Sequence, residues 1–149
     1  MAIFRSQVLS WQADSWKRVS GSGTYYCLNT NRVSDIRDGG GDTCTLFYCD
    51  NPFDDRDAPH WMKLNKTVAS LKNDMDDSVD HAYVTLNIYP ENDPTQTPVE
   101  TTIHIGNFAY SRTDPNSILR SWVTYTEDGW DIKTVLCNDV NTTFVTTDD

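Results

Sequence analysis

Apolar and polar residues alternate in pairs of positions along most of this chain. Over Tyr83–Tyr89, Val84, Leu86 and Ile88 fall on one side and Tyr83, Thr85, Asn87 and Tyr89 on the other. Over Val99–Ile105, Val99, Thr101, Ile103 and Ile105 separate in the same way from Glu100, Thr102 and His104. Leu119, Ser121, Val123 and Tyr125 alternate with Ile118, Arg120, Trp122 and Thr124, and Trp130–Cys137 follows across Asp128-Gly129. A period of two is the signature of a strand with one buried face. Asp-Gly between two such runs is a strong hairpin signal. The span from His81 to Cys137 is therefore expected to form four antiparallel strands in a meander. Pro90–Pro98 is too proline-rich for a strand interior.

The N-terminal half is less regular. Ala2–Trp11 alternates without a cleanly apolar face and predicts a first strand, or an arm over residues 1–11 that packs on a neighbour. Gly21-Ser22-Gly23 predicts a turn leading into a strand over Thr24–Leu28. Asn29–Asp42, with its Gly39-Gly40-Gly41 run, predicts a mobile surface loop. Thr43–Cys49 predicts a central strand. Helical spacing occurs once, between His60 and Asp80, where Leu64, Val68, Leu71, Met75 and Val79 form a single stripe, with Asn65 or Thr67 as N-cap. Thr142–Thr146 predicts a closing edge strand and residues 146–149 a frayed end. The expected fold is mainly β with one helix, an antiparallel β-sandwich or barrel-like sheet, as a single domain over residues 1–149.

Charge narrows the partners. The 149 residues carry a net charge of −10. No Lys/Arg cluster is present to neutralise phosphates, which argues against nucleic acid and anionic membranes as partners. The start of the chain lacks the apolar core of a signal peptide, and no run approaches a transmembrane helix. The expectation is a soluble protein made in the cytosol, or one whose leader has been removed.

Candidate chemistry is sparse. Asp50, Asp54, Asp55 and Asp57 share one flexible segment with Asn51 and form the best metal candidate, calcium if any, because hard cations want several converging oxygens. The segment lacks the glycine and distal glutamate of an EF-hand loop. Asp74, Asp76, Asp77 and Asp80 form a second acidic group at the expected end of the helix. Cys27, Cys44, Cys49 and Cys137 do not form two zinc-ligand pairs, and reduced, half-buried thiols are expected. Gly39–Gly41 is not followed by the Gly-Lys-Ser/Thr of a phosphate-binding loop. No nucleophile elbow accompanies His60, His81 or His104. No cofactor is expected and no reaction is indicated. An enzyme would need a pocket gathering His81 or His104 with carboxylates. Trp122 and Trp130 flank the Asp128-Gly129 hairpin. Exposed, they would offer a platform for sugar rings, although core packing is the commoner use of two such residues.

The leaderless start MAIFRSQVLSW, the short Thr/Asn-rich strands HAYVTLNIYP and VETTIHIGNF, and the end TTFVTTDD give the chain a texture similar to the small virion structural proteins of tailed bacteriophages. That resemblance implies a non-enzymatic head-decoration, head-completion or tail-associated subunit, located in the virion. Its partners would be other virion or assembly proteins, or further copies of itself. It carries over no functional residue. The alternative is a carbohydrate-binding β-sandwich module using Trp122 and Trp130, with calcium.

Overall fold

The computed structural model describes residues 3–13, 17–50, 60–76, 82–113, 120–138 and 145–147. It contains strands β1 (Ile3–Ala13), β2 (Lys17–Asn29), β3 (Val33–Asp38), β4 (Cys44–Tyr48) and β5 (His60–Leu64), then helix α1 (Val68–Asp76). Strands β6 (Tyr83–Ile88), β7 (Val99–His104), β8 (Phe108–Thr113), β9 (Arg120–Thr126), β10 (Ile132–Asn138) and β11 (Val145–Thr147) follow. All pairings are antiparallel. The strands run β3-β4-β5-β1-β2-β8-β9-β10-β6, with β7 and β11 also on β6. The result is antiparallel throughout, falls into two parts and is not closed into a barrel. No helix among the described residues is long and apolar enough to cross a membrane.

Two apolar cores hold this arrangement. The first gathers Val8, Tyr26, Leu28, Cys44, Leu46, Tyr48, Met62, Leu64 and Leu71. The second gathers Cys27, Val84, Leu86, Ile103, Ile105, Phe108, Val123, Tyr125 and Cys137. Tyr26 and Leu28 belong to one core and Cys27 to the other, and successive strand residues point to opposite faces. The cores therefore lie on opposite sides of β2. Its neighbour β8 shows the same division, because its register on β9 shifts between Phe108 and Tyr110. That shift is a β-bulge at Ala109. It lets Phe108 enter the second core while Tyr110 packs against the first.

The joint between the two parts is polar. Asn29, fully buried, donates from Nδ2 to the Ile105 carbonyl at 2.8 Å and to the Phe108 carbonyl at 3.0 Å. Its Oδ1 accepts from the Asn31 N–H at 3.3 Å. Arg32, also buried, donates from Nη2 to the Gly106 carbonyl at 2.9 Å. The end of β2 thus grips the 3-10 turn Ile105–Asn107 that connects β7 to β8.

Several elements depart from the sequence expectations, each for a local reason. Gly21-Ser22-Gly23 is no turn. It lies inside β2, where the register passes from Val8↔Thr24 to Ser10↔Ser20, so the three residues bulge opposite Leu9. Of the two expectations for the start of the chain, the strand is the one found, as β1 pairs with β2 and with β5. Within the expected loop at Asn29–Asp42, Val33–Asp38 is strand β3, paired with the central strand β4. Gly40 and Gly41 take positive φ in the β3–β4 turn, which Asp38 closes by accepting from the Gly40 N–H at 2.9 Å. His60–Leu64 is a strand rather than the start of the helix. Thr67 caps α1 by accepting from the Ser70 N–H at 3.1 Å. Leu71 is buried in the first core, with Val68 and Met75 beside it. The expected four-strand meander is in fact five strands, because the Ile105–Asn107 turn divides the second run into β7 and β8. Among the described residues β7 pairs only with β6, and β10 returns beside β6 at Cys137↔Ile88.

The β9–β10 hairpin forms at Asp128-Gly129 as expected, with Gly129 at φ +89°. Asp128 Oδ1 accepts from the Trp130 and Asp131 N–H groups, each at 2.8 Å, and from the Thr126 hydroxyl at 3.1 Å. The Asp131 and Trp130 amides hold the carboxylate down to about 2. A carboxylate with a depressed folded value stabilises the fold above the unfolded value of about 3.9, and that contribution is lost as pH falls through the folded value. The stability difference between wild type and Asp128→Asn is therefore expected to shrink between about pH 4 and pH 2. Urea midpoints for both proteins across that window check this, and a constant difference would contradict it.

Candidate functional site

Of the predicted metal group only Asp50 lies among the described residues. Asp54, Asp55 and Asp57 fall outside them. Asp50 Oδ2 stands 3.0 Å from Nε2 of His60. Tyr48 and His60 are register partners at the end of the β4–β5 ladder, so this pair clasps the two ends of the intervening acidic segment. In the second acidic group, Asp74 is bonded to Lys66 at 2.7 Å, Asp76 is exposed on α1, and Asp77 and Asp80 lie outside the described residues. Among the described residues no three His, Cys, Asp or Glu side chains converge as a metal site. The four cysteines stand as thiols, three of them buried. Burial pushes Cys44 up and Cys137 up to about 12, which suppresses their thiolates.

The clasp opens onto an aromatic cluster that the sequence did not reveal. The Tyr48 ring lies 5.5 Å from the His60 ring and 5.2 Å, edge-on, from that of Tyr110. Tyr26 lies 6.0 Å from Tyr110. Arg112 acts on the Tyr26 phenol, and the Tyr26 and Tyr48 phenols influence one another. Burial is the largest influence on both phenols and raises both, against the opposing pull of Arg112 on Tyr26. They are therefore neutral at physiological pH and poorly suited to acting as bases. These residues come from β2, β4, β5 and β8. Of these strands β2 and β4 were legible in the sequence, whereas β5 read as helix and the spacing of the cluster was not legible.

The two tryptophans occupy different parts of the hairpin. Trp122 stands opposite Leu136 on β10 and opposite Arg112 on β8, and it is half-buried. Trp130 sits in the turn and is 61% exposed. The ladder between them runs from Trp122 to Thr126, four positions or roughly 13 Å. No protein-family model, curated protein or solved structure matches this chain.

The described surface carries few large apolar side chains. Those exposed are Tyr83, Val99, Trp130 and Ile132. Tyr83 and Val99 belong to the β6–β7 hairpin. On its outer face Tyr83 meets His104 edge-on at 5.7 Å, and the Thr85 and Thr102 hydroxyls are 3.1 Å apart. His104 Nδ1 accepts from the Gly106 N–H at 3.0 Å, which leaves Nε2 as the protonated nitrogen, directed away from the turn. Glu100 lies two positions along the same face.

Proposed function

We propose that this chain is a non-enzymatic structural or assembly protein, a virion component of the tailed-phage kind, that acts through protein–protein contacts. One observation chiefly supports this reading. The exposed large apolar residues, Val99, Trp130, Ile132 and Tyr83, sit on an edge hairpin and on a hairpin tip. Such exposed edge and tip positions are covered by another protein more readily than by a small ligand, whose sites are concave. The acidity of the chain is consistent with partners that are neither nucleic acid nor anionic lipid. The virion assignment itself draws on the sequence texture alone.

The experiment is the solution mass by light scattering after size exclusion, across a range of concentrations. A defined oligomer is the expected result. A monomer that also binds no fraction of a phage lysate would overturn the reading. The alternative, a carbohydrate-binding module, is favoured by the exposure of Trp130 alone. Glycan binding lost in Trp130→Ala would establish it in place of assembly.

A further inference from the structure

Two edge strands of the sheet, β3 and β7, are built differently. β3 at one end has a register shift between Val33 and Asp35. It also carries Asp35, Arg37 and Asp38, with Asp35 and Arg37 paired at 2.7 Å. A bulge and charges are the ordinary means by which an edge avoids pairing with another chain. β7, which pairs only with β6 among the described residues, has neither proline nor lysine. Its register on β6 runs unbroken from Tyr83↔His104 to Ile88↔Val99.

The direction of its backbone groups follows from one bond. The Ile105 N–H donates to the Ala82 carbonyl at 2.9 Å. These residues continue the β6–β7 register, so they mark a hydrogen-bonded pair, and such pairs alternate along an antiparallel ladder. Val99, Thr101 and Ile103 therefore aim their N–H and C=O groups at β6, while Glu100, Thr102 and His104 aim theirs at the open edge. On β6 the same alternation sends the Tyr89 N–H to the opposite side, and it is found there, donating to the Leu136 carbonyl at 2.9 Å.

We infer that β7 pairs with β7 of a second copy, antiparallel, about a two-fold axis at Thr102. The inference rests on the assembly reading above and names its first partner. In this register Thr102 faces itself, and Glu100 of each copy faces His104 of the other. The three outward residues are then all used, forming three hydrogen-bonded pairs, or about six backbone bonds. Side chains of directly opposed residues stand within about 5.5 Å, so each Glu100 carboxylate meets a His104 ring whose Nε2 carries its proton. Registers shifted by two residues in either direction lose one of the three pairs and separate Glu100 from His104. On the inner face, Val99, 57% exposed in the single chain, is brought opposite the Ile105 position of the other copy, whose own side chain is already buried in its core. The complementarity of charge and of backbone direction belongs to a second copy of this chain, since it is the strand's complementarity to itself.

The test is the mass of the whole chain and of two variants. Thr102→Pro removes an N–H that faces the edge, not β6, a position at which a strand tolerates proline. Glu100→Lys places a cation opposite His104 and leaves the exposed face of β7 otherwise intact. Wild type is expected at twice 17.0 kDa. Each variant is expected to be folded by circular dichroism and to raise the dimer Kd by at least about tenfold. The Glu100, Thr102 and His104 amides should gain exchange protection with concentration in wild type only. Should Thr102→Pro unfold, Glu100→Lys and the amide exchange decide. An oligomer of unchanged affinity in both variants overturns β7 pairing and leaves the assembly reading standing. A wild-type chain still monomeric at millimolar concentration overturns this inference too, and an assembly role would then require a different protein as partner.

Discussion

Asn29→Leu is expected to lower the free energy of unfolding by about 3–5 kcal/mol. The Asn29 side chain is fully enclosed and its amide supplies hydrogens to the Ile105 and Phe108 carbonyls. Leucine fills a similar volume and leaves both carbonyls without that donor, at about 1–3 kcal/mol for each buried polar group. Asn29→Asp is expected to be worse at neutral pH, since it sets a carboxylate against two carbonyl oxygens with no donor between them. Acidification should narrow the gap between the two variants, because a protonated carboxyl regains one donor. Urea unfolding followed by circular dichroism measures the loss. A change under about 1 kcal/mol for Asn29→Leu would mean that the β7–β8 turn is held by other contacts.

Phe108→Ala should cost about 3–5 kcal/mol, the usual range for emptying a fully buried phenylalanine site. Phe108 has no exposed surface and stands where the Ala109 bulge turns β8 from one core to the other. The neighbouring backbone is pinned by Asn29 and Arg32, so the site has little freedom to collapse around the cavity. The variant also tests whether the two cores unfold together. In a single cooperative unit, the slowest amides of β4, which lies wholly in the first core, lose the same free energy of protection as those of β9. Loss confined to β8, β9, β10 and β6 would show instead that the two parts unfold separately.

Strand content and the single helix were legible because alternation is strong in β6, β7 and β9, β4 is a compact apolar run, and Asp128-Gly129 marks the turn into β10. The elements that were not legible each broke the pattern for a physical reason. β3 is an exposed edge whose burial follows no period of two, so VSDIRD reads as loop. β5 alternates as His60, Met62 and Leu64 buried against Trp61 and Lys63, but Leu64 also stands four residues before Val68 and so extends the helical stripe backwards. The bulge at Ala109 has no composition of its own, and it alone makes Phe108 and Tyr110 serve different cores. For the candidate surfaces, the exposure of Trp130 was foreseen as one possibility, whereas the pairing of Trp122 with Leu136 depends on register. The Tyr26, Tyr48 and Tyr110 cluster depends on which strands become neighbours across some 80 residues of chain, information carried by no local pattern.

The position of β2 between two cores also bears on the order of events during synthesis. β1 to β5 and α1 all lie before residue 77, and among themselves they form the β3-β4-β5-β1-β2 run of the sheet and supply every member of the first core's buried cluster. That part can condense while the rest of the chain is still emerging from the ribosome. Until β8 arrives, however, the second face of β2 and its whole outer edge stay open to solvent. Closing Leu28 on Tyr110 then spans 82 residues, the slow, non-local step of this topology. In a crowded cell, the interval before that closure is when a nascent chain of this kind is most exposed to pairing with the wrong strand.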